Sequence, residues 1–210
     1  VMEILAGTIK EAIGGKSTGG VVSAGGAGIV GNDKLTISGG TIMNATGGDS
    51  TGGTGGNGIY SGGDLTISDN AAITNATGGS GSYGGSGIGS MNKLTISGGE
   101  IQQTTGGEAT GDTGGTGIYS AGALFISQNT AIKNATGGDS EKYGGDGISA
   151  GELTISGGTI GTAQGGEGKI FGGDGIGSDR ELTISGSKIE QATGGTSTNG
   201  TGGDGIHSDN

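Results

Sequence analysis

A chain of 210 residues with 59 Gly, no Pro, no Trp, no Cys and only 3% aromatic side chains cannot build a globular core of interlocked rings, a disulfide framework or thiolate chemistry. Nine Lys and Arg against 20 Asp and Glu leave a net charge of −11, which argues against nucleic acid or an anionic membrane as partner. No apolar run approaches membrane-spanning length.

The chain repeats one phrase about every thirty residues, so the period has to be read before any single residue. A divergent first repeat, residues 1–29, opens with Met2-Glu3-Ile4. Repeats then begin near Leu35, Leu65, Leu94, Leu124, Leu153 and Leu182. Within each, Leu-x-Ile alternates as an extended segment does, placing Leu35 and Ile37 inward and Thr36 and Ser38 outward. A second inward marker follows at Ile42, Ile73, Ile101, Ile132, Ile160 and Ile189, with one extra residue before Ile73 and before Ile132. A third closes the phrase in Gly-Gly-x-Gly-Ile: Ile29, Ile59, Ile88, Ile118, Ile148, Ile176 and Ile206. Three short strands per period, with Gly at a frequency that no helix tolerates, predict an all-β, single-stranded parallel β-helix. It is three-sided, with about seven coils in one domain spanning residues 1–210, and its hand is taken as right.

Other columns follow from the same alignment. Asn44, Asn75, Gln103, Asn134 and Gln191 recur before the Ala-Thr or Thr-Thr step, as stacked amides at a bend would. Gly pairs such as Gly47-Gly48, Gly78-Gly79 and Gly137-Gly138 mark the next corner, where a positive φ or a close backbone approach excludes a Cβ. The segments that follow vary freely and are expected to project from one edge. There Tyr83, Tyr143 and Phe171 are the aromatic surfaces on which a glycan would stack.

Catalytic signals are sparse: one His, His207, one Arg, Arg180, and no carboxylate pair at a distinctive spacing, so no enzyme is expected. Gly-Gly-Asp-Gly-Ile at 144–148, 172–176 and 202–206 resembles the calcium-binding nonapeptide of RTX proteins. Ser149, Gly177 and His207 stand where its ligand Asp belongs. Asp146, Asp174 and Asp204 remain as a column in which structural calcium would relieve repulsion, and no other cofactor is expected. The outward Thr36, Thr66, Thr95, Thr154 and Thr183 are similar to the Thr ranks of ice-binding solenoids, although Phe125 interrupts them and β-propensity explains them equally. Among the Asn-x-Thr sequons, Asn199 in a variable segment is the plausible glycan acceptor.

The whole phrase, Leu-Thr-Ile-Ser, Ala-Thr-Gly-Gly and Gly-Gly-x-Gly-Ile, resembles the Gly-rich arrays of secreted prokaryotic surface proteins described as adhesin-like or carbohydrate-binding. The resemblance implies a β-solenoid at the cell surface or outside the cell. Its start at Val1 fits a product whose leader was removed, or a trimmed chain. The last coil lacks the atypical repeat that caps natural arrays, and the first could complete it. Val1, Met2, Ile4 and Ile9 of one copy would then meet Leu182, Ile184, Ile189, Ile206 and His207 of another. The expected function is a structural subunit that stacks head-to-tail into an extracellular fibre. A glycan-binding adhesin or stalk fragment is the alternative, and an ice-binding solenoid a lesser one.

Overall fold

In the computed structural model, which describes residues 1–20, 23–127 and 129–209, every regular element is a β-strand and every ladder is parallel. Leu-x-Ile segments stack in one ladder: Met2↔Leu35, Leu35↔Leu65, Leu65↔Leu94, Leu94↔Leu124, Leu124↔Leu153 and Leu153↔Leu182. The Ile42 segments stack in a second sheet, and the Gly-Ile segments form a third column from Ile29 to Ile206. Two strands, Ile118–Ile126 and Ile148–Ile155, run unbroken from the third column of one coil into the first of the next. That geometry is the parallel β-solenoid of about seven coils that the thirty-residue period predicts. At roughly 4.8 Å per coil it forms a rod about 34 Å long.

The aliphatic columns fill the interior. From Leu35 to Ile176 the Leu and Ile markers are buried throughout. A fourth inward column went unread in the sequence: Ala45, Ala76, Ala135 and Ala163 are fully buried, with Thr104 at the same level in the middle coil and the partly buried Ala12 and Ala192 in the end coils. Ile42 and Ala45 lie three residues apart yet both point inward. The ladder accordingly skips residue 43, and the chain bends inside the strand Thr41–Thr46. Asn44 therefore lies just past a bend, on the outer face.

Left-handed backbone occurs at a corner other than the predicted one. Gly7, Gly40, Gly99, Gly158 and Gly186 have positive φ, and all of them follow a Leu-x-Ile segment. In the two coils with the extra residue, the same role falls to Asp69 and Asn129, at φ 55° and 66°. Those residue types tolerate this region better than other non-Gly residues. The Gly-Gly pairs have ordinary φ, so positive φ does not explain them.

Close approach does. Gly47-Gly48 lies against Gly55-Gly56 where the chain leaves and re-enters the aliphatic lobe, and a Cβ at Gly47 would overlap the Gly56 carbonyl oxygen. The pairs join in a zigzag of backbone bonds: Gly48 N–H donates to Gly26 O, Gly56 to Gly48, Gly79 to Gly56 and Gly85 to Gly79. The zigzag continues through Gly107, Gly115, Gly138, Gly145, Gly166, Gly173 and Gly195 to Gly203, each bond 2.7–3.0 Å. This glycine waist divides the cross-section into an aliphatic lobe and a smaller outer lobe. The segments expected to project freely instead stack from coil to coil through parallel bridges, including Gly81↔Ala109, Ala109↔Ser140, Ser140↔Gly168 and Gly168↔Ser197.

Candidate functional site

Four regions gather most of the residues singled out in the sequence: the two end faces, the acidic column and the outer edge. At the end faces the interior columns are open. Ile176 is fully buried, whereas Ile206, one coil further, is 47% exposed; Ile155 is fully buried, whereas Ile184 is 40% exposed. Leu182 and Ile189 are half-buried beside them. At the opposite face Val1 and Met2 are exposed, Ile9 is half-buried and Ile4 is buried. Uncovered aliphatic side chains keep the free-energy cost of contact with water, about 1.5–3 kcal/mol for a complete Ile or Leu.

The acidic column is stitched to the backbone. Asp174 N–H donates to Asp146 Oδ1, and Asp204 N–H to Asp174 Oδ1, each at 2.7 Å. Ser86 N–H donates to Asn57 Oδ1 at 2.6 Å, so an amide does the same work three coils before Asp146 in the column. Burial pushes the Asp146 carboxyl up, partly offset by the Asp174 N–H and a Ser149 bond, and nearby Asp174 and Asp179 push it further. Among the described residues no cluster of three or more His, Asp or Glu converges as a metal site would. At the last coil Asp204 Oδ2 meets His207 Nδ1 and Asp209 Oδ1 meets His207 Nε2, both at 3.0 Å. Asp209 first, then Asp204, raises the His207 pKa above its ordinary value.

Asn44, Asn75, Gln103, Asn134 and Gln191 stack in register on the outer face, but as a ladder they make one rung, Asn75 Nδ2 to Asn44 Oδ1 at 2.9 Å. Gln103 and Gln191 turn to Thr105 and Thr193 two residues on, and Asn134 reaches the Gln102 carbonyl. Longer Gln side chains and exposure to water explain why the other rungs do not close. The Thr column is in register and faces outward, with Phe125 in the rank.

On the outer edge, Tyr83 and Phe171 are 48% and 49% exposed, and Tyr143 is half-buried. Tyr143 and Phe171 stack on one another, centroids 5.9 Å apart and 13° from parallel, so each turns one ring face to its neighbour rather than outward. Beside them runs an open groove of about 650 Å³ lined by Glu108, Asp139, Ser140, Glu141, Glu167 and Lys169. Lys169 pairs with Glu141, and Lys142 with Asp112. Asn199 is exposed there, its N–H bound to the Lys169 carbonyl.

Sequence reading also missed a column of buried hydroxyls. Ser61, Ser90, Ser120 and Ser178 each donate to the carbonyl three residues on, at 2.7–3.1 Å, closing the turn into the next coil. The recurrent Ser two residues after the Gly-Ile marker was the available signal.

No family model and no curated protein matches the chain. Among solved structures, a springtail antifreeze protein from Granisotoma rainieri, a bundle of nine polyproline type II helices, aligns at 21% identity. The alignment covers 97% of this chain and 98% of that one, with a TM-score of 0.16. A score that low informs neither fold nor function. What the architecture defines is a β-solenoid repeat protein.

Proposed function

We propose that the chain is a structural subunit of an extracellular or cell-surface fibre, built by axial stacking of coil ends rather than by catalysis. One observation carries this reading: columns that are completely buried through the middle coils lie open at the last coil, in register with those of the first. Another coil laid on that face pairs the strand edges and covers Leu182, Ile184, Ile189 and Ile206. The contact is heterologous, so it repeats without closing. The covering coil belongs either to a second molecule or to continuing polypeptide, as in the stalk of a larger surface protein.

Electron microscopy and sedimentation velocity of the purified chain separate the two. Rods many times longer than about 34 Å that disappear in Ile206→Asp support stacking between molecules. Compact monomers at high concentration would overturn it. A glycan-binding adhesin is the second reading, favoured by the exposed rings of Tyr83 and Phe171 at the outer edge. It predicts glycan-array signal that Phe171→Ala abolishes, and silence on the array counts against it.

A further inference from the structure

If coil ends do stack, bonds already repeated inside the chain specify the register of the joint. The side chain in the x position of Gly-Gly-x-Gly-Ile accepts the backbone N–H of the x residue one coil on. This occurs from Asn57 to Ser86, from Asp146 to Asp174 and from Asp174 to Asp204, all in the same direction along the rod. Asp204 is the last of these acceptors. Its Oδ2 is held by His207, while Oδ1 has no partner among the described residues. The corresponding x residue of the first coil is Ala27, half-buried, whose N–H has no partner among them either.

Two further features share this polarity. The glycine zigzag begins at the Gly15 carbonyl and ends at the Gly203 amide. A second copy would continue it, with its Gly15 N–H donating to the Gly203 carbonyl as Gly48 N–H does to Gly26. On the Ile42 sheet, Lys10 follows Ile9, which pairs with Ile42, and Glu190 follows Ile189, which pairs with Ile160, so both occupy the level of residue 43. Both are exposed. Stacking in register sets the Lys10 ammonium over the Glu190 carboxylate, one coil apart, beside the existing Lys188–Glu190 pair.

We infer that the partner of the C-terminal face is the N-terminal face of a second copy, aligned by Asp204 accepting the Ala27 N–H and by Lys10 against Glu190. The inference rests on the proposed stacking and adds to it a direction, a register and two polar anchors. The reverse orientation brings like faces together, so the C-terminal face meets neither the Ala27 N–H nor Lys10.

Rod assembly in sedimentation velocity and electron microscopy, with circular dichroism to verify folding, tests it. Asp204→Ala is expected to raise the concentration needed for rods about tenfold, the effect of losing a hydrogen bond to a charged acceptor. Asp204→Asn should assemble near the wild-type concentration, because Asn57 fills the same role within the chain. Glu190→Lys should weaken assembly in low salt, and Lys10→Glu added to it should restore growth. Wild-type rods together with an unaffected Asp204→Ala, or an exchange that restores nothing, overturn the register and leave stacking intact. Absence of wild-type rods removes both.

Discussion

The aliphatic lobe and the glycine waist hold the same coils together by opposite means. In the lobe, Leu and Ile are stacked and buried, and the stabilisation is apolar burial, which tolerates exchange among side chains of similar volume. In the waist there are no side chains. Backbone meets backbone at hydrogen-bond distance, and the space in which a Cβ would sit is occupied by carbonyl oxygens. A defect in the first region leaves a cavity, whereas a defect in the second forces two strands of the chain apart. Number of atoms lost is therefore a poor guide to damage here, and one added methyl should outweigh three removed carbons.

Gly137→Ala is the sharpest way to test that contrast. Its methyl would overlap the Gly145 carbonyl, itself bound to the Gly166 N–H, and a loss of more than about 4 kcal/mol is expected by chemical denaturation. Ile101→Ala, in the middle of the aliphatic lobe, should cost about 2–5 kcal/mol through a cavity. If Ile101→Ala proves the more damaging of the two, the waist yields more easily than its geometry implies and the contrast fails. Thr104→Val should act in the other direction. Thr104 occupies the buried Ala column, and its Oγ1 is buried without a hydrogen-bond partner among the described residues. Removing that hydroxyl at constant shape should stabilise the protein by about 1 kcal/mol, read as a raised Tm.

The smallest expected effects concern two carboxylates, one on each side of the waist, that respond oppositely to pH. Asp49, outside it, is drawn down to about 2 by Lys16 and then by the Ser80 N–H and hydroxyl. Its contribution is complete above the ordinary carboxylate range and is lost as pH falls toward 2. Asp146, beside the Gly-Ile column, is pushed up by burial, so it favours the folded state at low pH and loses that contribution as pH rises through its folded value. Asp146→Asn should therefore raise Tm slightly at pH 7 and leave it unchanged near pH 3, while Asp49→Asn should lower it slightly at pH 7. Because Asp49 is well exposed, solvent screening keeps its effect small.

The end-face residues were legible because they are the terminal members of columns whose period the sequence displays: Ile206 follows Ile176, and Met2 precedes Leu35. The anchors Asp204 and Lys10 were not, since their role depends on which backbone amide or charge the next coil presents. Asp204 entered as a cation candidate, and its hydrogen-bonding pattern emerged only with Asp146 and Asp174 bound to the amides one coil on. The aromatic edge was read as ring faces open to sugar, but Tyr143 and Phe171 partly cover one another because their segments stack.

By itself the sequence determined the period, the parallel solenoid and the inward Leu and Ile, because burying a side chain on one face imposes a pattern that survives in the order of residues. Only the tertiary structure decided which Gly pair meets which, where the left-handed corners fall, and that the variable segments are stacked rather than loose. Backbone groups make those contacts, and backbone groups are nearly the same in every residue. A column held by N–H and C=O leaves little trace in the sequence beyond the side chains it forbids.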